Sequence, residues 1–186
     1  LPVSCDGSAP PSWQVGGAFG AFSTQIVFDG QRVAVAQEAV TASVGRFATP
    51  TLGWTASAGG IIGGNVEGRP ISGGATAAGA VNWLAVFEQA RRPFVAVNGS
   101  FGASLARAPA DDATTHSWLA FDLRAGAAVG KTLGPVVPYA ALRVFGGPVF
   151  WTRGGKGVYG GDRYHVTAGL GVTVHAGPVD LSVEGM

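Results

Sequence analysis

Between Ser117 and Met186 apolar residues alternate with small or polar ones at a period of two, and the charges keep to one side. Leu119, Phe121, Leu123, Ala125, Ala127 and Val129 interleave with Ala120, Asp122, Arg124, Gly126, Ala128 and Gly130. Pro138, Ala140, Leu142 and Val144 interleave with Tyr139, Ala141 and Arg143. Tyr164, Val166, Ala168, Leu170, Val172 and Val174 alternate with His165, Thr167, Gly169, Gly171, Thr173 and His175. Val179, Leu181 and Val183 alternate with Asp180, Ser182 and Glu184. Successive side chains of a strand point to opposite faces, so each segment presents one wholly apolar face. The other face carries all the charge. That pattern suits a wall with hydrocarbon outside and a tight polar filling inside.

Composition narrows the solvent. Charged residues are only 12% of the 186, about half the usual share of a soluble domain. Yet no run approaches the ~18 consecutive apolar residues of a transmembrane helix. Apolar content without apolar runs points to membrane strands, whose lipid-facing residues are diluted by inward ones. A soluble barrel would carry Lys and Glu on its outer face, and no such face is present. Net charge is +1, without a basic cluster interleaved with aromatics, so nucleic acid is not an expected partner. Glycine is over-represented at 31 residues. Gly126, Gly130, Gly169 and Gly171, with Gly53 and Gly59, fall on the inward parity, where small residues let crowded walls approach.

Nine strands are expected. Residues 1–12 are turn-rich and form a periplasmic tail. The first strand runs from Trp13 to about Phe28, and Asp29-Gly30 is a hairpin signal. In the second, Val33 and Val35 imply one outward face and Val40, Ala42 and Val44 the other. A bulge near Gln37-Glu38 would reconcile them. The third covers Leu52 to Ile62, the fourth about Ser72 to Phe87, the fifth Phe94 to Ala106. Ala80 to Arg92 also scans as an amphipathic helix, and the strand is the preferred reading. Arg107 to His116 and Arg153 to Asp162 read as long loops, while Thr132 to Pro135 and Ala176 to Pro178 are short turns. Outer-membrane barrels have short periplasmic turns and longer extracellular loops, which places the first strand running outward.

Trp13, Trp54, Trp83, Phe94 and Tyr164 lie near strand ends and are expected at the membrane interfaces. Trp118 and Trp151 fall inward and cap the interior, unless a bulge at Gly146-Gly147-Pro148 turns Trp151 outward. Barrels of this kind have even strand numbers. Nine strands therefore imply a count wrong by one, a closing strand after Met186, or a strand from another chain. The second is preferred.

This alternation, turn asymmetry and aromatic placement resemble the small outer-membrane β-barrel superfamily of Gram-negative bacteria, the OmpA/OmpX-like class. The resemblance spans Trp13 to Met186 and rests on architecture, so it transfers no functional residues. It implies an antiparallel up-and-down transmembrane β-barrel of eight to ten strands over residues 13–186, in the bacterial outer membrane.

Inside such a wall, folding about Leu133-Gly134 sets Arg124 opposite Arg143 with Asp122 diagonal to it. A charge network of Asp122, Arg124, Arg143, Glu184 and Glu38 is expected, since buried charges must be paired. Folding about Gly177-Pro178 sets His175 opposite Asp180. The expected role is a non-enzymatic membrane anchor or scaffold with interacting extracellular loops. The alternative is a narrow passive channel lined by these charges, and a further one is a soluble lipocalin-like binder. Partners are outer-membrane lipid and a periplasmic or envelope protein reached through the tail, where Cys5 offers an attachment point.

Enzymatic constellations are weak. Residues 125–132 match a relaxed phosphate-loop spacing, but such a loop must open a helix, and here strand alternation runs through it. His116, His165 and His175 do not assemble into a triad with a serine and an acid. No cysteine–histidine spacing suits a metal, and no cofactor is expected.

Overall fold

The computed structural model describes residues 13–109, 115–153 and 156–186. Among these the fold is all-β and antiparallel, without helix. The strands are β1 (Trp13–Phe28), β2 (Gln31–Phe47), β3 (Leu52–Val66), β4 (Arg69–Pro70), β5 (Gly74–Val86) and β6 (Phe94–Pro109). They continue with β7 (Thr115–Gly130), β8 (Val136–Gly146), β9 (Pro148–Arg153), β10 (Lys156–Asp162), β11 (Val166–Ala176) and β12 (Val179–Gly185). The tail of residues 1–12, with Cys5, lies outside the described residues.

Local chemistry explains the turns. Asp29 and Gly30 both take positive φ (46° and 81°), as do Glu67 and Gly68 (51° and 79°). Two successive positive φ values make the turn whose twist matches that of a hairpin. These turns mark what we term the hairpin end. The opposite, tryptophan end carries the β2–β3, β5–β6, β7–β8 and β11–β12 connections.

Eight strands form a ring in the order β7-β6-β5-β3-β2-β1-β10-β9, closed where β9 pairs with β7 through Trp118↔Trp151 and Leu119↔Phe150. The wall forks beyond this closure. The other half of β7, Leu123–Gly130, pairs with β8, which pairs with β11, which pairs with β12. β8 and β9 are two parts of one path interrupted at Gly147, where a Cβ would lie 2.0 Å from the Phe121 carbonyl oxygen. β10 and β11 are likewise separated by residues 163–165.

Several sequence expectations change. The segment 153–162, expected as a loop, contains β10, which closes the ring against β1. His116, expected in a loop, lies in β7 opposite Ala108. The helix over Ala80 to Arg92 is absent: β5 runs to Val86, and Gln89 and Arg92 form a short bridge. The connections after β1, β6 and β9 at the hairpin end are consequently short, no longer than most of those at the opposite end. The irregularity expected in β2 belongs to its partner, because Glu38 pairs with Gly63 and Ala39 with Ile61, leaving Ile62 extra in β3. Inward parity in β2 is therefore unbroken, and Val33 and Val35 point inward with Thr41 and Ser43.

The largest revision concerns the filling. At the hairpin end the interior is apolar: Ile26, Phe28, Val33, Val35, Ile61, Val66, Ala106, Trp118, Val149 and Trp151 form one buried cluster. Phe28, Trp118 and Trp151 meet ring to ring at 5.6–5.8 Å. A second apolar cluster of Leu84, Phe94, Ala96 and Val137, with Tyr139 against it, sits toward the tryptophan end. Alternation separates two faces but does not say which one is polar at each height. Inward glycines make room for these rings: a Cβ on Gly160 would lie 2.5 Å from Phe28, and one on Gly130 would lie 2.5 Å from Phe94.

Candidate functional site: the interior charges and the outer belt

The charged residues divide into separate pairs. The turn between β7 and β8 centres on Gly134-Pro135, bracketed by the bridge Leu133↔Val136, with Gly134 at φ 64°. This shifts the register by two from that expected. Arg143 faces Gly126, and Arg124 faces Phe145. Arg124 consequently pairs with Asp122, two residues away on its own strand and the same inward face. Glu38 joins neither pair. It pairs in register with Ala21 and Gly63 on the outer side of the wall.

Arg143 instead meets Glu184 of β12, two strands away. Its guanidinium binds both carboxylate oxygens, one of them at 2.7 Å from Nη2. The Tyr139 hydroxyl donates to Glu184 Oε2 at 3.0 Å. Tyr139 and Arg143 share the inward face of β8, and β11 lies between them and β12. Two glycines let them reach across. Gly171 faces Tyr139 on one side and Glu184 on the other. A Cβ there would lie 2.4 Å from the Tyr139 ring, and one on Gly169 would lie 3.0 Å from Glu184 Oε1. The Gly169-Leu170-Gly171 stretch is thus the passage for a bidentate clasp of β12 onto β8. Bidentate charge-assisted bonds are the stronger and more directional kind.

His175 Nδ1 lies 2.5 Å from Asp180 Oδ1, directly across the β11–β12 hairpin. A further clasp was not foreseen in the sequence. Glu88, in the β5–β6 connection, accepts from the Thr132 backbone N–H at 3.0 Å and from its hydroxyl at 2.7 Å, and pairs with Lys131 at 2.9 Å. The Lys-Thr of the relaxed phosphate-loop spacing is therefore committed to holding two connections together. Its signal was a lone carboxylate ahead of Arg91-Arg92-Pro93, too common to single out.

A cavity of about 340 Å³ lies in the tryptophan-end half, lined among others by Gln14, Thr55, Asn82, Asn98, Arg143 and Glu184. Among the described residues no group of three or more His, Cys, Asp or Glu could hold a metal ion.

The outer face is of a different kind. On β7 the outward residues Leu119 to Val129 are all apolar, and on β6 Val95, Val97, Gly99, Phe101, Ala103 and Leu105 continue the belt. On β11 Leu170 is 73% exposed, and Val15 of β1 is 88% exposed. Arg46 bounds the belt at the tryptophan end, and Glu38 and Arg107 at the hairpin end. Trp13, Trp54 and Trp83 lie together near Arg46: Trp13 and Trp54 contact edge to face at 6.0 Å, Leu52 faces Trp83, and the Arg46 guanidinium sits 5.4 Å from the Trp13 ring. Tyr164 is exposed beneath Arg163. Phe94, expected in this rim, instead points inward and is 1% exposed, because Gly130 opposite leaves space for its ring. A second outer row, Phe101–Phe121–Phe150–Tyr159, runs at centroid spacings of 5.5–6.3 Å across β6, β7, β9 and β10. Phe101 and Phe121 stood in mid-strand in the sequence and Tyr159 in an expected loop, and only the register aligns them.

No known protein family, curated protein or solved structure matches this chain.

Proposed function

We propose that the chain is a bilayer-spanning β-barrel of the outer-membrane type, acting as a non-enzymatic anchor or scaffold. One observation carries this reading: the apolar outer belt passes from strand to strand, bounded at one end by the Trp13, Trp54 and Trp83 cluster beside Arg46 and crossed by the Phe101–Phe121–Phe150–Tyr159 row. Soluble monomers rarely expose apolar patches beyond roughly 300–600 Å². The 11 residues from Leu119 to Val129 rise about 26 Å at ~3.4 Å per residue and a ~40° tilt, against an apolar band of ~25 Å in such barrels. Trp13, Trp54 and Trp83 with adjacent Arg46 suit a headgroup level.

The filled interior favours an anchor over the channel alternative. Ten buried apolar residues occupy the hairpin end, and the charges are engaged in local pairs. The test is the purified chain in detergent. It should aggregate when detergent is removed and migrate faster unheated than boiled on a gel. In planar bilayers it should give no stable conductance steps. A detergent-free soluble monomer would overturn the membrane reading, and stable ion-selective steps altered by Arg143→Ala would favour the channel.

A further inference from the structure

The fork in the wall leaves two edges without a strand partner among the described residues. β1 pairs with β2 along all 16 residues but with β10 only at Ile26, Val27 and Phe28. The junction continues to Gln25, whose backbone oxygen accepts from the Arg163 N–H at 2.9 Å and whose side chain accepts from the Arg163 guanidinium at 2.7 Å. Beyond it the backbone edge of Trp13–Thr24 has no strand partner among the described residues. β12 pairs with β11 alone. Phe22 registers the opening: its side faces inward with Gln37, yet it is 45% exposed.

We infer that this slot takes one extended polypeptide strand, lying between β12 and β1 and antiparallel to both. Direction follows from the pairing. β1 and β12 each run from the tryptophan end toward the hairpin end, so neither can complete the other's antiparallel ladder. A strand between them runs the opposite way and starts below the Arg163–Gln25 junction. Its length is set by the edges, seven residues along β12 and 12 along β1. Its chemistry is set by its neighbours. The outward side lies between Val15, Gly17, Phe19 and Ala21 on β1 and Val179, Leu181 and Val183 on β12, so its outward residues are apolar. The inward side meets Gly16, Ala18 and Gly20 and the paired Asp180 and Glu184, so its inward residues are small or polar. Open space around Gly20, where a Cβ would meet nothing within 4 Å, gives the new side chains room.

Bare backbone groups explain the demand. Within hydrocarbon an unpaired N–H or C=O costs several kcal/mol, which is why spanning sheets close. The Arg143–Glu184 clasp across Gly171 holds β12 in place before the strand arrives. A second copy is a poor occupant: in a bilayer, copies oriented alike offer only edges that run in the same direction. That exclusion rests on the membrane reading, while the strand directions do not.

The test uses the full chain folded in detergent micelles and a labelled peptide of residues 39–47, the natural antiparallel neighbour of Trp13–Gly20. Binding should be saturable. It should slow hydrogen exchange of alternate amides in both Trp13–Thr24 and Val179–Gly185 by about tenfold or more. The same peptide with Ala42→Pro and Val44→Pro should not bind. Protection of both edges before peptide is added, kept when residues 1–12 are removed, would overturn the inference, as would protection of one edge only or equal binding of the proline peptide. Binding that appears only after removal of residues 1–12 would show the slot filled by the chain's own N-terminus. Dimers whose edge protection rises with protein concentration would show a second copy there. Detergent-free solubility is read separately and bears on the membrane reading alone.

Discussion

The two halves of the wall share β1, β2, β3, β5, β6 and β7 but solve closure differently. At the hairpin end β10 reaches β1, and the interior is an apolar cluster around Phe28, Trp118 and Trp151. At the tryptophan end β11 turns aside to β12, and the interior holds a cavity, a smaller apolar cluster and the Tyr139–Arg143–Glu184 clasp. The closed half is held by non-directional burial, which tolerates approximate geometry. The split half is held by directional bonds reaching over a glycine passage, which do not. Stability should therefore be concentrated in the closed half, and β12 should be the first element to detach.

The largest effect is expected in the closed half. Trp118→Ala should cost about 3–5 kcal/mol, the usual range for a large buried aromatic, and abolish the fast-migrating unheated band. Phe94→Ala, equally buried but in the smaller cluster, should fall at the low end of that range. If Phe94 proves the more costly, the ranking of the two halves is reversed.

Gly171→Val comes next. Its side chain would collide with the Tyr139 ring, and such overpacking costs about 1–3 kcal/mol. Hydrogen exchange should rise in Val179–Gly185 while Ile26–Phe28 stays protected. Uniform loss of protection would mean the halves are not separable. A cycle of Tyr139→Phe and Glu184→Gln should show coupling of about 1 kcal/mol, the net worth of a typical intramolecular hydrogen bond. Smallest is His175→Ala, which removes a partly exposed pair in the β11–β12 hairpin and should cost below ~1 kcal/mol.

Much of this was readable in the residues. Alternation assigned the two faces of β6, β7, β8 and β11, and Asp29-Gly30 placed the first hairpin. His175 and Asp180 could be matched because Gly177-Pro178 leaves few choices of register. Arg143 could not, since shifting a loop centre by one residue moves every facing pair by two. The same limit hid the Phe101–Phe121–Phe150–Tyr159 row. Val33 and Val35 show a different one. Their parity is shared with Ser43, and periodicity says nothing about whether an interior is polar or apolar at a given height. The fork was hidden because β8–β9 and β10–β11 each change partner midway, a property of the assembled wall rather than of either segment.

The central claim is that the outer belt faces lipid, and it can be read position by position. A spin label would be placed in turn at residues 119–129, with Cys5→Ser, in protein reconstituted into phospholipid vesicles. Collision with dissolved oxygen should oscillate with a period of two, high at Leu119, Phe121, Leu123, Ala125, Ala127 and Val129. A water-soluble nickel chelate should be excluded from those same positions. Free access of the chelate to Leu123 and Ala125 would contradict the account.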